Sequence, residues 1–403
     1  MNAGKFIAQR LRDKGNRIAW ISVALSVAVM VVAVVVVAGF KSEIKAKVTG
    51  MMGSVTLVAP GQSPINEHYP FTDSISWLAA VDSLRSVTSI SGVGYRSGLI
   101  KTDEDIHGLY FKGVDSLYDM SFFEAALVEG RLPDFSAGIS NDALISRPLA
   151  EKLNLRSGDR MTVYFIGDDV KVRRFDICGL YDAQLEEIDQ SFGLIDLRQV
   201  RRLNGWEKDQ VSAMEVRTTR RADIDAVSGI IENIGFTSVQ DDDPAVFVMP
   251  VTRIYAHLFD WLALLDLNVL MILALMMAVA GFNMISAILI ILFRRISMIG
   301  VLKSVGMTNR AVTGVFLRKA AALVGKGMLL GNALALGLCL MQKYTHVFKL
   351  DPENYFVGYV PVDFNWPGLV LLNIISFIVI MLILSLSSAF VSKVSPAVTM
   401  KVD

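Results

Sequence analysis

Four long apolar runs constrain the fold of this chain more than any other feature, because each is long enough to cross a lipid bilayer. They lie at residues 18–40, 262–293, 320–341 and 367–391. The first run has no charged residue, and as a helix of about 23 residues it measures about 34 Å. A hydrocarbon core is about 30 Å thick. The sequence therefore predicts four transmembrane helices.

The first run has a competing interpretation as a cleaved signal peptide, because basic residues precede it. It is longer than the roughly 7–15 residues of a signal-peptide core, and no convincing A-x-A cleavage site follows. A buried helix of a water-soluble protein is the alternative for each of the runs. Four helices of this length do not fit into a soluble core, so we expect an uncleaved membrane protein.

The charges are divided between two compartments, although the formal net charge of the 403 residues is zero. Residues 1–19 carry five basic side chains and one acidic one, and residues 294–319 carry six basic and no acidic ones. Residues 41–260 carry about 23 basic and about 33 acidic side chains. The positive-inside rule places basic loops in the cytoplasm, so we expect both termini there and the acidic segment outside.

This partition predicts the order of segments along the chain. They are a cytoplasmic N-terminal segment at 1–17, transmembrane helix one at 18–40, an outer domain at 41–261, helix two at 262–293, a cytoplasmic segment at 294–319, helix three at 320–341, an outer loop at 342–366, helix four at 367–391 and a cytoplasmic tail at 392–403. The composition excludes a disordered chain, a disulfide scaffold and a polycationic nucleic-acid binder. Neither Cys178 nor Cys339 has a plausible disulfide partner.

The segment between helices one and two is a folded domain, since about 220 residues are far too many for a loop. Strand-like stretches are Ser54–Val58, Leu109–Lys112, Arg160–Ile166, Val172–Cys178, Gly193–Asp196 and Ala213–Arg217. Helix-like stretches are Ile75–Ser83, Arg147–Leu153, Leu197–Leu203 and Arg221–Ile234. This interleaving predicts a mixed α+β domain. The fold class is therefore an α-helical membrane protein with four transmembrane helices and a large α+β extracytoplasmic domain between helices one and two.

Helices one and two are expected to extend beyond the bilayer as rigid stalks. The pattern from Val251 to Phe293 contains one glycine and no proline, and as one helix it measures about 65 Å, roughly twice the membrane thickness. Residues 41–48 likewise keep a helical composition after the first apolar run. Rigid stalks transmit a displacement to the outer domain, which a flexible linker cannot do.

The sequence lacks the motifs of common enzymes. There is no G-x-x-x-x-G-K-[ST] phosphate loop and no G-x-S-x-G motif, so we expect a non-enzymatic chain. The four histidines have no metal-ligand spacing, and Gly92-Val93-Gly94 is predicted to be a turn. Asn283 is expected to hydrogen-bond another helix. Gly327 and Gly331 form a small-xxx-small pair, which is typical of close helix packing.

Several motifs give the chain a resemblance to the LolC/LolE family of lipoprotein-releasing permeases, within the MacB/FtsX-type ABC transporters. They are FIAQRL at 6–11, Val37-Ala38-Gly39-Phe40, Glu129-Gly130-Arg131, Ile145–Asp159, Ser191-Phe192-Gly193, Val279–Leu292, Ile296–Met307 and Ser395-Pro396-Ala397. The resemblance covers nearly the full length. It implies a multi-pass protein of the bacterial inner membrane with a MacB-like periplasmic core domain and cytoplasmic termini.

The resemblance also implies partners and residue roles. We expect two copies of a separate LolD-like ATPase that holds ATP and Mg, a second permease subunit that is identical or homologous, and a lipoprotein substrate. A periplasmic lipoprotein chaperone is a further partner, and the chain itself needs no cofactor. The expected coupling residues are Arg294, Arg295, Leu302, Lys303 and Gly306, and those of the substrate cavity are Asn268, Met276 and Met277.

Two departures from the family pattern bear on these expectations. Family members often carry an acidic residue where Met298 stands, so a salt bridge to the ATPase from that position is not expected here. The LolC subtype has a hook that receives the chaperone, whereas the matching connection here is the short Gly167-Asp168-Asp169. This favours a LolE-like or generalised role.

Three other functions remain open at this point. A MacB-like efflux component and an FtsX-like regulator of cell-wall hydrolases share the permease architecture. A membrane sensor with a ligand-binding outer domain is the alternative from another class. A sensor would normally carry an output domain, and the longest cytoplasmic segment here has only about 26 residues.

Overall fold

The computed structural model describes residues 16–102, 106–167, 169–294, 298, 301 and 304–391. The chain forms two compact units, which we call the membrane unit and the outer unit. The membrane unit comprises residues 1–41, 262–349 and 359–403, and the outer unit comprises residues 42–261 and 350–358.

The helices, in chain order, are α1 (Asn16–Met52), α2 (Leu78–Asp82), α3 (Ser121–Ala126), α4 (Arg147–Lys152), α5 (Glu186–Asp189), α6 (Leu197–Asn204), α7 (Ile224–Ser238), α8 (Val251–Ile254), α9 (Ala256–Arg294), α10 (Asn309–Thr345), α11 (Pro352–Tyr355) and α12 (Trp366–Val391). The strands are β1 (Val55–Val58), β2 (Phe71–Thr72), β3 (Val87–Lys101), β4 (Ile106–Val114), β5 (Leu127–Gly130), β6 (Asp142–Ser146), β7 (Arg160–Phe165), β8 (Lys171–Tyr181), β9 (Phe192–Asp196), β10 (Gln210–Val211), β11 (Ala213–Thr218) and β12 (Phe247–Pro250).

Four of the described helices are long and apolar enough to cross a membrane, namely α1, α9, α10 and α12. Their shared core includes Val27 and Val31 of α1, Met284 of α9, Val324 of α10 and Ile380 of α12, all almost fully buried. Many other apolar side chains on α9 are exposed, as expected for a surface that faces lipid. These helices confirm the predicted fold class of the membrane part.

A ten-stranded sheet organises the outer unit, with the strand order β12-β1-β11-β3-β4-β9-β6-β8-β5 and with β7 paired to β3 and β8. Strands β4 and β9 run parallel, as do β6 and β8, while the other pairs are antiparallel. Helix α6 packs against β3 and β4. Phe111, Phe165 and Phe175 are fully or almost fully buried in an apolar core of the outer unit. The mixed sheet with its helices confirms the predicted α+β domain.

The prediction of a turn at Gly92-Val93-Gly94 was wrong, because these residues lie inside the long strand β3. A Cβ atom at Gly92 would lie 2.8 Å from Val211, and one at Gly94 would lie 2.9 Å from Leu197. The two glycines therefore make room for side chains that pack on the sheet, which is a role that glycine has in strands.

The stalk helices also differ from their predicted bounds. The prediction of one unbroken helix from Val251 was wrong, since Tyr255 leaves the helical region at φ −109° and ψ 46°. Helix α9 begins after this break, at Ala256. Helix α1 continues to Met52, beyond the residues 41–48 for which helix was expected. The third membrane helix, α10, also differs from its prediction, because it begins at Asn309 and not at residue 320.

Candidate functional site

The C-terminal end of stalk helix α1 is held by two cationic side chains from the sheet. Arg217 of β11 donates to the carbonyl oxygen of Gly50 at 2.7 Å, and Lys112 of β4 donates to that of Met51 at 2.6 Å. The last carbonyls of a helix lack partners inside the helix, and the helix dipole favours positive charge there. Gly53, at φ +74°, then ends the helix.

The same lysine belongs to a buried charged cluster. The Lys112 and Glu215 side chains are only 3% and 1% exposed, and their ion pair measures 2.7 Å. The hydroxyl groups of Tyr95 and Tyr118 both donate to Glu215. Burial raises the pKa of Tyr95 well above its usual value, so this phenol remains a donor. The cluster fixes the end of α1 to strands β4 and β11.

The second stalk consists of the short helix α8 and the long helix α9, and it begins at the sheet next to the end of α1. Strand β12 pairs with β1 in antiparallel register, and β1 follows α1 while β12 precedes α8. The N–H of Val251 donates to the carbonyl oxygen of Ser54 at 3.0 Å. Both stalks are therefore attached to neighbouring strands at one edge of the sheet.

Polar contacts join the helices within the membrane unit. Asn283 of α9 donates to Ser22 of α1 at 2.5 Å, which agrees with the expected helix-to-helix hydrogen bond. Lys41 of α1 and Asp266 of α9 form an ion pair at 2.5 Å. The two contacts are separated by 19 residues of α1, or about 28 Å of helix, which is close to the thickness of a hydrocarbon core.

Glycines bring α10 close to α1. A Cβ atom at Gly327 would lie 2.8 Å from the carbonyl oxygen of Trp20, and one at Gly331 would lie 2.5 Å from that of Ala24. Neither position has room for any larger residue unless a helix shifts. The small-xxx-small pair therefore lies at a direct helix contact.

The described part of the chain includes two of the expected coupling residues. Arg294 is the exposed last residue of α9. Gly306, at φ +93°, lies in the turn before Thr308, whose side chain caps α10 by accepting from Ala311. Arg295, Leu302 and Lys303 lie outside the described residues.

The expected cavity residues lie at different positions on α9. Met276 and Met277 are half-buried and pack against the core of the membrane unit. Asn268 is exposed, about two turns closer to the outer end of the helix. The structure does not bring these three side chains together within one chain, and their role in a cavity stays a prediction.

Sequence reasoning missed the cluster that holds α1. The predicted strands Leu109–Lys112 and Ala213–Arg217 contain three of its charges, Lys112, Glu215 and Arg217. Each of these charges stands among apolar residues of a strand, and this isolation was the signal available in the sequence. Among the described residues, no group of three His, Cys, Asp or Glu side chains is placed to hold a metal ion.

Two family models match the chain. The model described as MacB-like periplasmic core domain matches residues 18–234, which is more than half of the chain. The model described as FtsX-like permease C-terminal matches residues 270–396. The chain belongs to the FtsX/MacB-type ABC permeases. This permease is a multi-pass protein of the inner membrane, and the domain between its first two transmembrane helices is periplasmic.

Relatives of the permease are found over nearly its full length. LolC of Neisseria meningitidis, a lipoprotein-releasing system transmembrane protein, is 22% identical over 94% of this chain and 92% of its own. LolE of Haemophilus influenzae is 20% identical over 96% of this chain and 95% of its own. The periplasmic region of MacB from Actinobacillus actinomycetemcomitans aligns at 12% identity, covering 52% of this chain and 94% of its own, with a TM-score of 0.34. The permease is thus a LolC/LolE homologue.

Proposed function

We propose that this permease extracts lipoproteins from the outer leaflet of the inner membrane and releases them toward the outer membrane. The observation that carries the proposal is the similarity to LolC and LolE, which extends over the membrane and periplasmic parts together. In this proposal a separate LolD-like ATPase binds ATP and Mg and supplies the energy. A second permease subunit, homologous or identical, completes the transporter.

The proposed orientation places both termini and residues 294–319 in the cytoplasm. The support is the charge asymmetry, since this segment carries six basic side chains and no acidic one. It includes the connection from α9 to α10 and the first turns of α10, and we propose that it binds in a groove of the ATPase. Its proposed contacts are Arg294, Arg295, Leu302, Lys303 and Gly306.

The proposed mechanism is mechanical. ATP binding closes the ATPase pair and displaces the coupling segment, and α9 carries this displacement outward because it is one helix from Ala256 to Arg294. The charged cluster at Lys112 and Glu215 passes any movement of α1 directly to the sheet. Lipoprotein enters between α1 and α9 of facing subunits, where Asn268, Met276 and Met277 are the proposed contacts. Between β7 and β8 there are only five residues, which supports release without a LolC-type hook.

Co-purification in detergent tests the ATPase partnership. The permease should retain a P-loop ATPase through purification, and Lys303→Glu should weaken that retention at least tenfold by placing an acid in a basic segment. Lys349→Glu makes the same charge change in the outer loop and should retain the ATPase. Equal retention by all three proteins would remove Lys303 from the coupling site. A substitution at Gly306 is a less direct test, because its positive φ strains any side chain.

Lipoprotein sorting tests the cargo. Depletion of the permease should leave lipoproteins in the inner membrane fraction, and proteoliposomes with the ATPase should release lipoprotein only when ATP is supplied. Normal sorting after depletion would exclude lipoprotein as cargo, even if the purified permease retains the ATPase. A MacB-like or FtsX-like action on another periplasmic substrate would then be favoured. The match to the MacB-like periplasmic core domain would still hold, because it does not depend on the cargo.

A further inference from the structure

The connection between α10 and α12 contributes a small hairpin to the outer unit. Residues 350–358 belong to that unit although the helices on either side belong to the membrane unit. The N–H of Leu350 donates to the carbonyl oxygen of Gly358 at 3.0 Å, and the one-turn helix α11 forms the tip. We call residues 350–358 the loop tip. Its Val357 side chain is only 3% exposed, so the loop tip is packed and not a free loop.

Lys47 of stalk helix α1 connects the loop tip to the rest of the outer unit. Its ammonium group donates to the carbonyl oxygen of Phe356 at 2.9 Å and to the side-chain oxygen of Gln184 at 2.8 Å. The same oxygen of Gln184 accepts from the N–H of Gly358 at 3.2 Å. Among the described residues Lys47 forms no ion pair within 4 Å, although the carboxylates of Glu43, Asp182 and Asp189 attract its charge from farther away. Its hydrogen-bond acceptors are neutral oxygens from two segments that are far apart in sequence.

Phe356 also contacts the second stalk. Its ring lies 5.9 Å from the ring of Trp261 on α9, measured between centroids, in an edge-to-face arrangement. One residue of the loop tip thus accepts from α1 through its backbone and packs on α9 through its side chain. The loop tip therefore bridges the two stalks.

We call the contacts of Lys47 with Gln184 and Phe356 the junction. The backbone at the junction has an unusual conformation at two positions. Gln184 and Phe356 both have a φ of +58°, a region that residues with a Cβ atom seldom adopt. Such conformations persist where the surroundings hold them, and they concentrate at functional sites. Here both residues carry the oxygens that accept from Lys47, so the strained positions are the ones that form the junction.

We propose that Lys47 is a positioning residue, which holds the loop tip against both stalks so that α1, α9 and the connection between α10 and α12 move together. This role rests on the proposed function for its consequence in transport, but the contact itself does not depend on the cargo. Without Lys47, a displacement of α9 would be lost in movement of the loop tip.

Hydrogen–deuterium exchange of the full permease in lipid nanodiscs tests this positioning role. Lys47→Met removes the ammonium group and keeps most of the side-chain length. It should speed exchange of the peptide covering residues 350–358 about tenfold and leave strand β6 unchanged. Lys45→Met is the matched control, because Lys45 lies on the same helix but donates to the carbonyl oxygen of Ala222. It should leave the loop tip at the wild-type rate.

A second variant tests whether faster exchange in Lys47→Met comes from loss of this contact or from general unfolding. Gln184→Gly removes the accepting oxygen at a backbone conformation that glycine adopts freely, and it should speed exchange of the same peptide. Unchanged exchange of the loop tip in both variants would overturn the proposal, as would an equal effect of Lys45→Met.

Transport assays separate positioning from simple stability. With the ATPase and lipoprotein, Lys47→Met should release about tenfold less lipoprotein per ATP hydrolysed, with ATP hydrolysis within twofold of wild type. Lys47→Arg, which keeps a charged donor, should recover at least half of the release. Wild-type release per ATP in Lys47→Met would contradict the positioning role. If wild-type permease released no lipoprotein while the exchange results held, the proposed function would fail and the junction would stand.

Discussion

Lys112 and Glu215 form an ion pair in the outer unit that is almost completely removed from water. Their side chains are 3% and 1% exposed, and the pair is bordered by Tyr95, Tyr118 and the carbonyl oxygen of Met51. Taking two charges out of water costs several kcal/mol per ion, which good geometry and additional hydrogen bonds offset. The pair therefore stabilises only while both partners are present.

We predict that Lys112→Met destabilises the permease by about 3–5 kcal/mol, because Glu215 is left buried without its ion-pair partner. The measurement is the chemical unfolding of the purified protein in detergent. Arg160→Met is the control, since the pair of Arg160 with Asp176 is 73% and 49% exposed and such pairs contribute about 0–1 kcal/mol. Adding Glu215→Met to Lys112→Met should recover part of the loss. Similar effects of Lys112→Met and Arg160→Met would show that the cluster is not critical.

Asp189 is a second buried acid, and its environment differs from that of Glu215. The residue is fully buried, and the N–H of Leu185 donates to one carboxylate oxygen at 3.2 Å. The other oxygen has no hydrogen-bond partner among the described residues. Burial, helped by the nearby carboxylate of Asp182, raises the pKa of Asp189 from its ordinary 3.8 to about 7, although the hydrogen bond from Leu185 and the charge of Lys47 oppose the shift. The folded protein thus holds a proton that the unfolded chain releases.

This shift predicts a pH dependence of stability with a definite sign. The contribution of Asp189 is most favourable below pH 4 and is lost as pH rises to about 7, by about 4 kcal/mol at most. Asp189→Asn does not titrate, so its melting temperature should exceed that of wild type by a margin that grows from pH 4 to pH 7 and then stays constant. Scanning fluorimetry of the purified protein measures this margin. Asp176→Asn, at an exposed acid, should show no such trend, and a constant margin for Asp189→Asn would contradict the shift.

At the scale of elements, the contact between α10 and α1 depends on glycine. A Cβ atom at Gly331 would lie 2.5 Å from the carbonyl oxygen of Ala24, whereas a Cβ atom at Gly337, also on α10, would have no neighbour within 4 Å. Backbone atoms cannot move aside as a flexible side chain can. The same substitution at these two positions therefore separates the effect of helix propensity on stability from the effect of packing between α10 and α1.

We predict opposite effects for the same substitution at these two glycines. Gly337→Ala should stabilise the permease slightly, by up to about 1 kcal/mol, because alanine is the better helix former. Gly331→Ala should lower the melting temperature in detergent, because α10 must move away from α1 to admit the methyl group. Stabilisation by both substitutions would show that the helices can separate at no cost.

The elements also show what the sequence could and could not predict. Helix α7 follows Asp223, whose side chain accepts from Asp225 and Ala226 at its N-terminus, and such local signals place a helix well. Strand β3 was missed, because its glycines and serines look like turns until the packing of Val211 and Leu197 against them is known. Contacts between distant segments set the role of these glycines, and local patterns do not contain that information.

The same limit applies to the junction at Lys47. Its partners Gln184 and Phe356 are 137 and 309 residues away along the chain, and nothing in the local sequence links them. The segment 342–366 was predicted only as an outer loop, and its residues 350–358 fold with the outer unit. Apolar runs and charge patterns predict which segments cross the membrane, but not which side chains meet outside it.

At the scale of the whole molecule, the division of charge predicts which surfaces are reachable from the periplasm. Leu117 is 85% exposed in the outer unit, and Ser304 is exposed between α9 and α10. We predict that a membrane-impermeant maleimide labels Leu117→Cys in intact spheroplasts, and labels Ser304→Cys only after the membrane is permeabilised. Gel-shift analysis of the purified protein measures the labelling.

The native cysteines should give little background in this experiment. Burial raises the pKa of Cys178 to about 12, so only a minute fraction is thiolate at neutral pH, and thiolate is the reactive form. Cys339 is buried. Labelling of Ser304→Cys in intact spheroplasts, with Leu117→Cys protected, would reverse the orientation. The basic segment at 294–319 could then not reach an ATPase in the cytoplasm, and the mechanical route from ATP to the outer unit would fail with it.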